Sequence, residues 1–166
     1  CTLTIEYDAA VLNSSHVVME DTALVLGRAL KEILLLRMNQ HGVQGAGNSI
    51  RTTEDITTQP ISVGVSVEGR KFWRFVPFQQ SYDTLKKTFL IGQTVGNGLF
   101  SEDLDDFIDG LSGGLDCSII VHIKKDIDPS SGWKIIFSSL GQALNEVFQA
   151  NPYRKGVPPG VKATMY

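Results

Sequence analysis

A short internal repeat constrains the fold of this chain more strongly than any other feature of its sequence. Residues 27–33 read GRALKEI and residues 141–147 read GQALNEV, with glycine, alanine, leucine and glutamate in the same places. The first copy lies in residues 16–36, whose apolar residues recur mostly at steps of three and four, as on one face of a helix. A chain that repeats such a segment is expected to fold as two related halves.

The match extends towards the amino terminus of both copies. When Cys1 is aligned with Cys117, a pair of serines follows each cysteine at the same spacing: Ser14-Ser15 and Ser130-Ser131. After a difference of two residues, both copies continue into the helix that carries G-x-A-L. Residues 1–8 alternate apolar with polar side chains, which predicts a half-buried strand. Residues 117–125 are rich in β-branched residues, which predicts a buried strand. Each half is therefore predicted to contain a strand followed by a helix.

The remaining segments are predicted from their local patterns. In chain order they are a loop at 39–60, strands at 61–67 and 70–78 joined as a hairpin by a two-residue turn at Glu68-Gly69, an acidic helix at 101–114 and a last helix at 132–149. The acidic helix is expected to begin at Ser101 and to end at its paired glycines. The pattern of 79–100 does not decide between helix and strand.

The second half is the more complete, because it carries a hairpin, a helix, a strand and a helix. The first half shows only a strand and a helix, so we expect a hairpin and a short helix ahead of Cys1 or from a separate chain. The domain prediction is one domain over 1–166 with these parts: a partial first repeat at 1–38, the loop at 39–60, and a second repeat at 61–166 with an insertion near 79–94. The predicted fold class is α+β, in which each half is a β-sheet with helices on one face and the helices pack between the sheets.

Composition argues against several classes of function. The 42% hydrophobic and 20% charged residues are those of an ordinary globular domain. A net charge of −3 without a block of like charges predicts no nucleic-acid partner. No apolar run approaches the roughly 18–20 residues that a membrane span needs, so no membrane partner is expected. The 2 cysteines are too few for a disulfide framework and predict a reducing, cytoplasmic location.

Several segments resemble one known family in the order in which they occur. Residues 16–21 read HVVMED, residues 67–72 read VEGRKF, residues 121–123 read VHI and residues 151–162 read NPYRKGVPPGVK. Together with the two G-x-A-L segments, they resemble imidazoleglycerol-phosphate dehydratase, the manganese enzyme of histidine biosynthesis. The resemblance implies the two-half fold, and it implies a homo-oligomer built on trimers with sites between subunits.

The family's dimanganese centre is held by histidines and carboxylates, and this chain departs from that pattern at most ligand positions. His16 and Glu20 keep the ligand types that the resemblance implies. The other ligand positions correspond to Val17, Ser130, Ser131, Lys134, Thr57 and Thr58, and a family histidine falls near Asp106. We therefore expect no tightly bound manganese pair and no other cofactor.

Three residues are predicted to be catalytic. His16 and Glu20 lie four apart on one helix face, where either can act as a general acid or base. Lys134 stands at the place of a family glutamate, so its ammonium group can replace the missing cation in a site that handles an anion. The structural interpretation of the same residues is a solvated helix start for the first two and an exposed lysine for the third.

Three further residues are predicted to bind substrate. The resemblance implies Arg70 as a phosphate-binding arginine and Lys162 as the tail lysine, and it brings Asp106 to the site. The structural interpretation of the acidic residues is the solvated face of a helix: Asp103, Asp105, Asp106 and Asp109.

Three functions stay open at this point. The first is a dehydratase-derived lyase, isomerase or cyclase that acts on a small anionic or polar metabolite without the dimanganese centre. The second is a non-catalytic relative that binds a small molecule or a partner. The third is an ordinary dehydratase of histidine biosynthesis whose metal ligands come from other positions.

Overall fold

The computed structural model describes residues 3–8, 10–11, 14–49, 60–96 and 98–160. The helices are α1 (Ser15–His41), α2 (Tyr82–Leu85), which continues as a π-helical turn (Lys86–Leu90), α3 (Ser101–Leu115) and α4 (Pro129–Val147), followed by a 3-10 turn (Pro152–Arg154). The strands are β1 (Ala46–Asn48), β2 (Ile61–Val67), β3 (Phe72–Phe78), β4 (Thr94–Gly96), β5 (Leu99–Phe100) and β6 (Cys117–Lys124). The α+β class is confirmed. Within these residues, no helix is both long enough and apolar enough to cross a bilayer.

The main sheet has the strand order β1-β2-β6-β3. β6 pairs antiparallel with β2, placing Val63 opposite Val121, and parallel with β3, placing Phe75 opposite the same Val121. The alternate residues of β2 and β6 that include these valines are buried, and α4 packs over β2. Trp133 of α4 stacks on Phe89 of the π-helical turn and packs edge-on against Phe75, which closes the core at one end.

The predicted hairpin is wrong, because β6 lies between β2 and β3. The connection between β2 and β3 passes over the start of β6, where Gly69 and Arg70 both donate their N–H groups to the carbonyl of Asp116. Gly69 has φ of 78°, a conformation that suits glycine, so the local turn signal is real. The turn residues determine where the chain bends, but they do not determine which strand pairs with β2.

α1 and α3 pack side by side and run in the same direction, since contacts advance together along both helices. Gly27 makes the close approach possible: a Cβ atom there would lie 2.7 Å from the carbonyl oxygen of Leu111. Further along, Lys31 donates to Asp116 Oδ2 at 2.6 Å. This parallel packing sets the first turn of α1 against the first turns of α3.

Three predicted boundaries differ from the structure. Within the described part of the chain, residues 3–8 pair with no strand, so the predicted strand at 1–8 is not formed there. The predicted loop at 39–60 contains the end of α1 and all of β1, which pairs with β2; residues 50–59 lie outside the described residues. The last helix begins at Pro129, three residues early, because Asp128 caps it by accepting the Ser131 N–H.

The segment at 79–100 and the acidic helix are organised by tertiary contacts. α2 and its π-helical turn bury Leu85, Phe89 and Leu90 in the core, and β4 and β5 form a small hairpin. α3 runs through its paired glycines to Leu115 and ends where Asp116 adopts a left-handed φ of 52°. These glycines continue the helix instead of ending it, because Gly114 packs directly on the backbone of α1.

Candidate functional site

The first turn of α1 meets α3 at a histidine–aspartate pair. His16 Nδ1 lies 2.5 Å from Asp106 Oδ2, and His16 Nε2 lies 3.7 Å from Glu20 Oε2 one turn further along the same helix. Helical spacing alone places His16 beside Glu20, and the parallel packing of α1 and α3 adds Asp106. Three of the six predicted site residues therefore come together.

The pair changes the acid–base properties of the imidazole. The pKa of His16 is raised above its ordinary value, first by the hydrogen bond to Asp106 and then by the negative charge of that carboxylate, with smaller contributions from Glu20 and Asp103. The His16 side chain is 51% exposed. A half-exposed imidazole with a raised pKa is protonated in a larger fraction of molecules near neutral pH, and a bound molecule can reach it.

Asp103 holds the two helix starts together beneath this pair. Its Oδ1 accepts the Ser15 hydroxyl at 2.8 Å and its Oδ2 accepts the Phe100 N–H at 2.9 Å, and the residue is only 5% exposed. The interpretation of the acidic residues as a solvated face is therefore wrong for Asp103. The spacing of three between Asp103 and Asp106 places both carboxylates on the side of α3 that faces α1, and this spacing is visible in the sequence.

Another side of α3 contacts β3 and the residue just before it through hydrogen bonds and an ion pair. Trp73 Nε1 donates to Asp105 Oδ1 at 2.8 Å, and the Lys71 ammonium group pairs with Asp109. Burial raises the pKa of Asp105, and the hydrogen bond from Trp73 offsets part of that rise. Trp73, Tyr82 and Asp105 line a hollow of about 250 Å³. Sequence reasoning missed these partners, because nothing local links residues more than thirty positions apart.

The predicted substrate-binding cations lie elsewhere on the surface. Arg70 is exposed, donates to Glu68 Oε2 at 2.9 Å, and lines a hollow of about 480 Å³ on the outer face of the sheet. Lys162 lies outside the described residues. Asp106 is thus the one predicted substrate-binding residue in the described chain that reaches His16.

Lys134 occupies a different environment from its counterpart Glu20. It is exposed on the first turns of α4, and no hydrogen bond or ion pair joins it to His16, Glu20 or Asp106 in the described chain. The pKa of Asp128 is lowered, chiefly by the hydrogen bond from the Ser131 backbone and to a smaller extent by the Lys134 charge. The start of α4 is therefore a helix cap with a lysine beside it.

Several side chains at the positions that the resemblance assigns to metal ligands make other contacts in the described chain. Among the described residues, no group of three or more histidine, cysteine, aspartate or glutamate side chains is arranged to hold a metal ion. The Ser130 hydroxyl is used to donate to the Val95 carbonyl at 2.7 Å, and His16 and Asp106 bind each other. Thr57 and Thr58 lie outside the described residues.

Comparisons with known proteins establish the fold. No protein-family model and no curated protein sequence matches the chain. A crystal structure of imidazoleglycerol-phosphate dehydratase from Staphylococcus aureus subsp. aureus N315 is similar with a TM-score of 0.61 and 20% identity over 85% of this chain and 72% of that one. The enzyme from Pyrococcus furiosus, in complex with (S)-C348, gives 0.59 and 20% identity over 85% and 68%. The chain therefore has the fold of imidazoleglycerol-phosphate dehydratase, as its sequence resemblance predicted.

Proposed function

We propose that the chain is an acid–base enzyme that carries out an elimination, isomerisation or cyclisation on a small anionic metabolite without a dimanganese centre. The observation that supports it is the contact between His16 Nδ1 and Asp106 Oδ2 at 2.5 Å. A carboxylate that accepts the proton of Nδ1 orients the imidazole and leaves Nε2 to exchange a proton with a bound molecule.

Glu20 is the second acid–base group in this proposal. Its Oε2 lies 3.7 Å from His16 Nε2, and its side chain is 46% exposed. Eliminations and isomerisations need one group to remove a proton and another to donate one. His16, with its raised pKa, is the donor in this scheme and Glu20 the acceptor.

The anionic part of the substrate requires cations, and within the described residues neither Arg70 nor Lys134 pairs with His16. We propose that Arg70, Lys134 and Lys162 act from neighbouring copies in a homo-oligomer, since the resemblance implies sites between subunits. Arg70 and Lys134 are both exposed, which leaves them available for such contacts. Bidentate contacts of an arginine and the point charge of a lysine both suit phosphate or carboxylate groups.

The test is turnover by the purified protein of imidazoleglycerol phosphate, which the structural relatives' name specifies, and of a panel of small phosphorylated and carboxylated metabolites followed by NMR. His16→Gln should abolish any turnover found, whereas His122→Gln, an exposed histidine on the outer face of the sheet, should retain it. A turnover that survives His16→Gln would overturn the proposed role. If no member of the panel is turned over, the non-catalytic alternative is supported, which the separation of Lys134 from His16 also favours.

The ordinary dehydratase is distinguished by metal analysis. We expect fewer than about two equivalents of manganese per chain to survive dialysis, because the donor positions are occupied by residues such as Ser130 and Lys134. Two retained equivalents, with turnover of imidazoleglycerol phosphate that depends on them, would establish the dehydratase reaction and exclude a metal-free mechanism.

A further inference from the structure

A hollow beside the main sheet is lined by residues that the proposed reaction does not use. We call it the β3-edge hollow, and its lining residues are Trp73, Arg74, Phe75, Tyr82 and Asp105. Its volume of about 250 Å³ is below the roughly 300–1,000 Å³ of pockets that take drug-sized ligands. The hollow therefore suits a smaller molecule.

The hollow lies along one edge of β3 and not over one face of the sheet. Trp73, Arg74 and Phe75 are consecutive, and successive side chains of a strand point to opposite faces, so a space that all three line lies at the edge of the strand. β3 is the last strand in the order β1-β2-β6-β3, and within the described chain it pairs only with β6. Its other edge therefore offers backbone N–H and C=O groups that no described strand pairs.

Aromatic rings form the apolar wall of the hollow. Trp73 and Phe75 pack edge to face with their ring centroids 4.8 Å apart. Tyr82, at the start of α2, is 43% exposed, and the Lys86 ammonium group lies 5.1 Å from the centroid of its ring. Such a wall packs well against an apolar side chain, and above all against another ring.

Two opposite charges line the hollow without pairing with each other. Asp105 is half-buried, and its Oδ1 accepts the Trp73 indole N–H at 2.8 Å. Arg74 is exposed, and within the described residues no hydrogen bond or ion pair joins its guanidinium group to Asp105. A ligand with a single positive charge is repelled by Arg74, and one with a single negative charge is repelled by Asp105. A small molecule that carries both charges complements the two side chains.

We infer that the β3-edge hollow binds a free α-amino acid with an apolar side chain. Its ammonium group binds the Asp105 carboxylate, and its carboxylate binds the Arg74 guanidinium group and the free N–H groups along β3. Its side chain packs against Trp73 and Tyr82. This site is separate from the contact between His16 and Asp106, and the inference does not depend on the proposed reaction.

The probes are L-phenylalanine and L-leucine, titrated into isotope-labelled protein and followed through the indole N–H signals of the 2 tryptophans. Trp73→Phe identifies which signal belongs to Trp73. That signal should shift with a dissociation constant of about 1 mM or below. The signal of Trp133, whose N–H donates to Ser101 in the core, should stay in place.

Analogues with one charge each test the need for both. Phenethylamine lacks the carboxylate of phenylalanine, and hydrocinnamate lacks its ammonium group. Each should bind at least about tenfold more weakly than L-phenylalanine, because one charged side chain of the hollow then has no partner. Equal affinity for either analogue would overturn the inference, and so would the absence of a Trp73 shift with both amino acids at about 10 mM.

Two protein variants with matched controls make the result specific. Asp105→Asn keeps an acceptor for the Trp73 N–H but removes the charge, so it should weaken L-phenylalanine binding at least about tenfold. Asp109→Asn, on the same helix but paired with Lys71, should change it less than about twofold.

Arg74→Gln should also weaken binding at least about tenfold, whereas Arg28→Gln, at an exposed arginine of α1, should not. Circular dichroism checks the fold of each variant. Arg74→Gln and the single-charge analogues decide the question if Asp105→Asn does not fold. Equal losses within either pair of variants would overturn the inference.

A blocked amino acid distinguishes this site from the pairing of a peptide strand with β3. N-acetyl-phenylalaninamide keeps the side chain and the peptide groups but carries neither charge. It should bind at least about tenfold more weakly than L-phenylalanine. Equal affinity would overturn the amino-acid site and would favour strand addition at this edge.

Discussion

The starts of α1 and α4 occupy equivalent places in the repeat and have become different kinds of structure. Ser15 and Pro129, the first residues of the two helices, are separated by the same number of residues as Gly27 and Gly141. The helices therefore correspond turn by turn from their first residue. Equal position in the repeat has not preserved the surroundings of the side chains.

At the start of α1 the exposed His16 pairs with Asp106 of another helix, whereas at the equivalent place on α4 the Ser130 hydroxyl bonds to a carbonyl. One turn further, Trp133 of α4 is buried among aromatic rings and its counterpart Met19 is only partly covered. The start of α1 therefore carries an exposed pair of titratable side chains, whereas the start of α4 carries a side chain packed in the core. Five predictions test this difference.

Truncating Trp133, which holds α4 in the core, should have the largest effect on the free energy of unfolding. Trp133 is 2% exposed and packs against Phe89 and Phe137, so Trp133→Ala should lower the free energy of unfolding by about 3–5 kcal/mol. Met19→Ala on α1 should cost less than about 2 kcal/mol, because that side chain is only partly buried. Urea denaturation measures both, and equal losses would mean that the two helix starts are anchored alike.

The equivalent faces of α4 and α1 give the next contrast, because β1 and β2 cover the face on α4, whereas Ile33 on the α1 face is 47% exposed. Val147→Ala should cost about 1.5–3 kcal/mol, because the side chain is 0% exposed beneath the sheet. Ile33→Ala, at the equivalent place on α1, should change stability by less than about 0.5 kcal/mol. A larger loss for Ile33→Ala in the purified protein would show that Ile33 is covered in solution.

Removing the charge of Asp106 should change the titration of His16 without unfolding the protein. Asp106→Asn should lower the His16 pKa, because the hydrogen bond and charge of that carboxylate are the main causes that raise it. Glu20→Gln should lower it less, since its charge is a smaller cause. NMR titration of the imidazole protons measures both. The same or a larger shift for Glu20→Gln would show that the pair with Asp106 does not form.

The same pair predicts a direction for stability against pH. The folded-state pKa of His16 is raised above its unfolded value, so the pair stabilises the fold fully below the unfolded pKa of roughly 6.5. This contribution is lost as the pH rises through the folded-state pKa. Asp106→Asn should flatten that part of the stability profile, and a profile identical to that of the unmodified protein would contradict the assignment.

The smallest structural effect is expected at Lys134. Lys134→Met should leave the free energy of unfolding within about 0.5 kcal/mol, because the side chain is exposed on α4. Under the proposed function it should nonetheless weaken the binding of inorganic phosphate, measured by calorimetry. Lys87→Met, at an exposed position of the π-helical turn, is the control. Equal phosphate affinity in the two variants would remove Lys134 from the proposed site.

Local patterns in the sequence were sufficient for most of the helices and strands. The apolar periods predicted α1, β2, β3 and β6, and the acidic segment predicted α3, because amphipathic spacing is a property of a few consecutive residues. The spacing of His16 and Glu20 likewise follows from the helix alone. The repeat also identified which helices correspond, and the resemblance identified the fold.

The tertiary structure alone decided which elements meet. The insertion of β6 between β2 and β3 contradicts the local hairpin signal. Within the part of the chain that the structure describes, residues 3–8 pair with no strand, although their pattern is that of a strand. The contact of His16 with Asp106 joins residues 90 positions apart. It depends on Gly27 and Gly114 letting α1 and α3 approach in parallel. Such contacts depend on how whole helices pack, and the local periodicity of apolar residues does not determine that packing.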